Sequence, residues 1–246
     1  MNNSNSNINS NPHNFCTWDK RADCKHCGIE GKLHCKWDGT LLRGFYAISL
    51  PPIIIAISGM VLVGVLTGVW WMLIAYAVYI PVMLGFIETR FLCSHCPYYA
   101  EDSAVLHCLA NHGDPKIWRY RPGPMNRMEK FLMVFLVITI IFFLAPLVVE
   151  AYGIWFIAAH FTEYGIVALL GMAIITAASL AVGISFIIVI RTFYYARCVN
   201  FSCPLNTVPL DVVNDYLKNN QVMREAWEQS GWSISDPKIN AGIPHI

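Results

Sequence analysis

Four stretches of this chain are long and apolar enough to cross a lipid bilayer, and none of them contains a charged residue. Crossing a hydrocarbon core of roughly 30 Å takes about 20 residues at the rise of a helix. Only 13% of the 246 residues are charged, against about 25% in a soluble domain. The sequence therefore predicts an all-α integral membrane protein with four transmembrane helices. The predicted spans are 45–65, 69–87, 131–149 and 165–190.

Basic residues lie on only one side of these spans. All 17 Lys and Arg residues belong to the two terminal segments and the central loop, and the connecting loops 66–68 and 150–164 contain none. The positive-inside rule then predicts a multi-pass protein of the inner (plasma) membrane with both termini in the cytoplasm. The three-residue link 66–68 further predicts that the first two spans form a tight helical hairpin.

The spans divide the chain into six segments with different compositions. The terminal stretches 1–14 and 233–246 are expected to be disordered. Between residues 210 and 227 apolar side chains recur at helical spacing, with a predicted break at Asn219-Asn220. The segments are a disordered tail (1–14), a cytoplasmic four-cysteine segment (15–44), a transmembrane hairpin (45–92), a cytoplasmic Cys/His-rich loop (93–128), transmembrane helices three and four (129–192), and a cytoplasmic tail with a Cys pair and an amphipathic helix (193–246).

All nine cysteines fall in the segments expected to be cytoplasmic. The cytosol keeps thiols reduced, so structural disulfides are not expected there. Clustered cysteines in that compartment more often bind metal or carry out redox chemistry. The candidate metal ligands are Cys16, Cys24, Cys27, Cys35, Cys93, Cys96, Cys108, Cys198 and Cys203.

The first four cysteines follow the spacing C-x7-C-x2-C-x7-C within twenty residues, from Cys16 to Cys35. Four thiolates at this density can close a tetrahedral site on one metal ion or hold an iron–sulfur cluster. The segment is too short to build a hydrophobic core, so a bound metal would supply its stability. The alternative is a juxtamembrane loop with ordinary thiols.

The other five cysteines form two groups, 93–108 and 198–203, and each group follows closely after a span. We expect them to meet at the cytoplasmic surface, where three or four could share a second site. His95 and His107 are possible substitutes as ligands. In the alternative interpretation, Cys108 and one of the late pair are small buried side chains. Two sites of four ligands would use eight of the nine thiols.

Three functions fit these patterns. In the first, iron–sulfur clusters pass electrons between a soluble donor and a membrane partner, either a quinone or another protein. In the second, zinc folds the cytoplasmic segments of a scaffold, assembly factor or transporter subunit. In the third, Cys93 and Cys96 perform thiol–disulfide exchange. The chain has no phosphate-binding glycine loop and no serine-hydrolase motif, and the expected partner is the lipid bilayer rather than nucleic acid.

Three ionisable residues, Glu150, His160 and Glu163, lie near the expected outer face. A histidine beside membrane acids can relay protons or bind haem. One histidine cannot form a bis-His haem site, however, so we interpret all three as ordinary interfacial residues. With no charged residue inside any predicted span, the sequence argues against an ion or proton pump.

The predicted orientation can be tested with the native lysines, all of which are expected in the cytoplasm. A membrane-impermeant amine-reactive ester added to intact cells should leave every lysine unmodified, whereas permeabilised cells should show labelling, read by peptide mass spectrometry. A T67K variant provides the control, because the new lysine lies in an expected outer loop and should be labelled in intact cells. Labelling of Lys116 from outside intact cells would contradict the orientation.

Overall fold

The computed structural model describes residues 11–234, and these residues form helices and loops without a β-strand. Residues 1–10 and 235–246, most of the two tails expected to be disordered, lie outside the described residues. At the end of the first tail, Asn11 is buried and forms two hydrogen bonds with Phe15, of 2.8 and 2.9 Å.

One of two compact units consists of Thr40–Phe91 and Asn126–Tyr194. It contains four helices that are long and apolar enough to cross a membrane, which confirms the four predicted spans. Short π-helical stretches interrupt three of them, at Met83–Glu88, Met133–Leu144 and Ile190–Tyr194. The helices are α1 (Gly39–Thr67), α2 (71–91, beginning with Trp71–Val82), α3 (Arg127–Ala159) and α4 (161–194, beginning with Phe161–Val189).

The first two helices are joined by the short turn that the sequence predicts. Helix α1 ends at Thr67, and Gly68 follows with a φ of +74°, a conformation that glycine adopts without steric cost. Helix α2 then begins at Trp71.

Helix α3 begins earlier than predicted because of a reciprocal cap. Asn126 Oδ1 accepts a hydrogen bond from the Glu129 backbone N–H (2.9 Å), and Glu129 Oε2 accepts one from the Asn126 N–H (3.0 Å). This capping box satisfies two N–H groups at the start of the helix. It moves the beginning of the helix from the predicted residue 131 to Arg127.

The expected outer loop 150–164 is mostly helical. Helix α3 continues to Ala159, α4 begins at Phe161, and the chain reverses at His160. Glu150 therefore lies inside α3, where its side chain is fully buried. Its interpretation as an interfacial residue is wrong, and so is the expectation of spanning helices without a charged residue. His160 and Glu163 are exposed.

Glycines allow these helices to approach closely. A Cβ atom added to Gly153 would lie 2.6 Å from Val63 Cγ2 on α1 and 3.4 Å from Met172 Sδ on α4. Gly183 on α4 is similarly close to α3, because its added Cβ would lie 3.2 Å from the Phe142 carbonyl oxygen. Small residues at helix contacts are a general means of packing within membranes.

The second compact unit combines Met1–Gly39, Leu92–Met125 and Tyr195–Ile246, and these three segments contain all nine cysteines. Its last part carries α5 (Leu210–Lys218) and α6 (Gln221–Gln229), which confirms the amphipathic helical pattern and its break at Asn219-Asn220. These helices bury Tyr216, Leu217, Met223 and Trp227.

Replacing Gly153 with alanine should destabilise the helical bundle, because the new methyl group overlaps Val63. Overpacking of this kind typically costs about 1–3 kcal/mol. The midpoint of thermal aggregation in detergent, followed by size-exclusion chromatography, should fall. G171A is the matched control, since a Cβ at Gly171 meets nothing within 4 Å. Equal midpoints for the two variants would contradict the packing.

Candidate thiol sites

The four cysteines of the first segment line a single cavity of about 660 Å³. Apolar side chains, among them Ile29 and Leu33, form another part of its wall, and Asn219 lies at the cavity as well. All four cysteines are partly exposed. The structure therefore brings together the whole first group that the spacing predicted: Cys16, Cys24, Cys27 and Cys35.

Each C-x2-C pair folds into the same short turn. A 3-10 turn covers Cys24–His26, and the Cys27 N–H donates to the Cys24 carbonyl oxygen over 3.3 Å. The second pair repeats this arrangement at Cys93–His95, where the Cys96 N–H donates to Cys93 over 2.9 Å. A turn of this kind brings two cysteines of a C-x2-C pair to the same side of the chain.

Asn220 holds Cys16 at the cavity. The Cys16 N–H donates to Asn220 Oδ1 over 2.9 Å, and Asn220 Nδ2 donates to Cys16 Sγ at 3.3 Å and to the Tyr216 carbonyl oxygen at 2.7 Å. The asparagine is almost fully buried. The sequence indicated only a helix break at this position, and no pattern connects it to a cysteine 204 residues away.

Two thiols of the first group, those of Cys16 and Cys35, hold their protons firmly. Burial raises the pKa of Cys16, and it raises the pKa of Cys35 to about 12, with neighbouring cysteines adding to both effects. The thiolate is the form that binds metal. A metal ion entering this cavity therefore has to displace protons, and its affinity should rise with pH.

The second group gathers around Cys96. Burial raises the pKa of the Cys96 thiol well above its usual range, and the nearby thiols of Cys198, Cys108 and Cys203 raise it further. Burial likewise raises the pKa of Cys198 to about 11, although the Asn200 N–H, 3.4 Å from its sulfur, opposes this.

Cys93 joins this group through Asn111. The Asn111 side-chain amide donates to Cys93 Sγ over 3.2 Å, and its backbone N–H donates to Cys108 Sγ over 3.0 Å. All five cysteines of the central loop and the tail are thus collected in one region.

The two candidate histidines make other contacts through one ring nitrogen. His95 Nδ1 lies 2.5 Å from the Gly123 carbonyl oxygen, and His107 Nδ1 lies 2.6 Å from Glu101 Oε2. As a metal ligand, either histidine would have to bind through Nε2.

The two thiol groups adjoin each other within this unit. His34, next to Cys35, forms a parallel bridge with Cys198, and its N–H donates to the Arg197 carbonyl oxygen over 2.7 Å. The Tyr98 hydroxyl donates to the His34 carbonyl oxygen over 2.6 Å. Burial raises the pKa of Tyr98 well above its usual range, and thiols of both groups contribute.

The thiols are neighbours rather than a closed set of ligands. Within residues 11–234, no three Cys, His, Asp or Glu side chains are arranged to hold a metal ion. All nine cysteines lie in this range, and none forms a disulfide bond. No protein-family model, curated protein or solved structure matches the chain.

Removing the Asn220 side chain should release the first cysteine segment. N220A deletes several buried hydrogen bonds, each loss costing about 1–3 kcal/mol, so trypsin should cleave after Lys20 and Lys25 roughly tenfold faster in the detergent-solubilised protein. Q221A is the control, because this neighbouring side chain is exposed and donates to Glu225 on its own helix. Cleavage at the same rate in both variants would disprove the anchoring role.

Proposed function

We propose that this protein holds two iron–sulfur clusters on the cytoplasmic side of the inner membrane and passes electrons between a soluble donor and a membrane partner, such as a quinone. The observation that carries the proposal is the arrangement of nine cysteines. They come from three separate segments of the chain and gather in one compact unit as two adjoining groups.

The composition of each group supports four-thiolate ligation. The first group supplies Cys16, Cys24, Cys27 and Cys35 around one cavity. In the second group, the thiols of Cys198, Cys108 and Cys203 lie near that of Cys96, and Asn111 joins Cys93 to Cys108. Four of these five cysteines would complete the second site, and the fifth is the ninth cysteine of the chain. Four thiolates are the usual ligand set of iron–sulfur clusters.

The closeness of the two groups favours electron transfer over a structural role. A structural zinc site stabilises its own segment and needs no second site beside it. Here the bridge between His34 and Cys198 connects the two groups directly, and the buried ring of Tyr98 lies near thiols of both. A cluster bound at each group would supply one-electron chemistry, and the chain would hold the two clusters at a short separation.

The distribution of charge supports the cytoplasmic location. The three segments that contain the cysteines also contain most of the basic residues, and the turns between α1 and α2 and between α3 and α4 contain none. Both termini and the cysteine-rich unit are then cytoplasmic, where thiols are kept reduced and available to metal.

Zinc is the second candidate, because four thiolates suit zinc as well as iron. The protein would then be a scaffold, an assembly factor or a transporter subunit folded by zinc. Thiol–disulfide exchange at Cys93 and Cys96 has less support. Both residues are buried, and burial raises the pKa of Cys96, whereas an attacking thiol needs access and a lowered pKa.

Protein purified without oxygen should contain iron and acid-labile sulfide and absorb visible light, with bleaching on reduction. The double variant C24S/C27S should lose one cluster, and C96S/C198S should lose the other. H26A is the matched control, because this residue between Cys24 and Cys27 is exposed and contacts Asp23, and it should keep the full iron and sulfide content. Stoichiometric zinc without iron or sulfide would replace this proposal with the zinc-folded alternative.

A further inference from the structure

One carboxyl group is buried inside the helical bundle. The side chain of Glu150 on α3 has no exposed surface, and it lies against α1 and α4. On α1, a Cβ atom added to Gly59 would lie 3.0 Å from Glu150 Cδ, so only glycine leaves room for the carboxyl group. The bundle is shaped around this glutamate.

The carboxyl group lies deep within the apolar stretch. Glu150 precedes the end of α3 at Ala159 by nine residues, and Gly59 precedes the end of α1 at Thr67 by eight. At the rise of a helix, these spacings correspond to about 12–14 Å. A hydrocarbon core of roughly 30 Å has its middle at a similar depth.

Hydroxyl groups are the polar neighbours of this carboxyl group. The Ser179 hydroxyl donates to Glu150 Oε1 over 2.6 Å, while Oε2 is buried without a hydrogen-bond partner among the described residues. Thr176 is a second neighbour, and its hydroxyl donates to the Met172 carbonyl oxygen over 3.0 Å. A hydroxyl group can both donate and accept a hydrogen bond, so Thr176 can serve the carboxyl group in either protonation state.

Among residues 11–234, no cation pairs with the carboxyl group of Glu150. Tyr76 is the titratable group that faces Glu150 from α2, and its hydroxyl donates to the Ile141 carbonyl oxygen over 2.9 Å. The sequence has no Lys, Arg or His within nine residues of Glu150, Gly59, Tyr76 or Ser179. Along the four helices, basic side chains are thus confined to the ends.

We propose that Glu150 is a proton-binding site within the membrane, which holds an exchangeable proton on Oε2. An ionised carboxylate buried in an apolar medium without a cation is far less stable than the neutral acid. The neutral acid also supplies an O–H donor at the buried Oε2. The hydroxyl groups of Ser179 and Thr176 adjoin the carboxyl group and can exchange a proton with it. Ionisable residues at this depth are rare and generally functional.

Infrared difference spectroscopy on the reconstituted full-length protein tests this proposal, which does not depend on metal binding at the cysteines. At pH 7, the wild type should show the carbonyl-stretch band of a protonated carboxyl group, and this band should shift in D2O as the proton exchanges. E150Q, which keeps the size and an acceptor for Ser179, should lack the band. E163Q is the matched control, because Glu163 is exposed, and should retain it.

Two outcomes would overturn the proposal. If E150Q and the wild type have the same carboxyl band at pH 7, Glu150 holds no proton. If the band belongs to Glu150 but does not shift after prolonged incubation in D2O, the proton is sealed in and the group is only structural. If E150Q fails to fold, the wild type can be treated with an apolar carbodiimide instead. This reagent should modify a protonated Glu150. An unmodified Glu150 peptide would contradict the protonated carboxyl group.

Discussion

The cost of placing polar groups in hydrocarbon organises this protein. A helix satisfies its own backbone hydrogen bonds, so four apolar helices can enter a membrane while charged side chains are held at their ends. The nine cysteines consequently lie outside the long apolar stretches, in the three segments of the second compact unit. Glu150 is the exception, and the surrounding helices accommodate it with a glycine and with hydroxyl groups.

The cysteine-rich unit shows how short segments become ordered without a large core. None of its three segments is long, yet buried aromatic and aliphatic side chains hold them together, among them Phe15, Tyr98, Phe201 and Tyr216. Asparagines then position the thiols: the side-chain amide of Asn220 contacts Cys16, and Asn111 contacts Cys93 through its side-chain amide and Cys108 through its backbone N–H. Two adjoining thiol groups in one unit are the basis of the electron-transfer proposal.

The structural features that the sequence did not indicate depend on partners that are distant in sequence or on local geometry. Hydropathy reports neither of these. The third span was predicted to end at residue 149, because the acidic Glu150 interrupts the apolar run and was interpreted as a residue of the membrane interface. The glutamate is buried because Ser179 and Gly59, on two other helices, make a place for it. Composition likewise did not indicate that Asn11 forms two hydrogen bonds with Phe15.

The sequence alone determined the number of spanning helices, the membership of the first thiol group and the amphipathic pair near the end of the chain. These features are local: they follow from the length of apolar runs, from cysteine spacing and from helical periodicity. The tertiary structure decided which distant cysteines gather around Cys96, which asparagines position the thiols, and that an acidic side chain lies within the bundle. Such contacts depend on how separate segments pack, which no single stretch of sequence encodes.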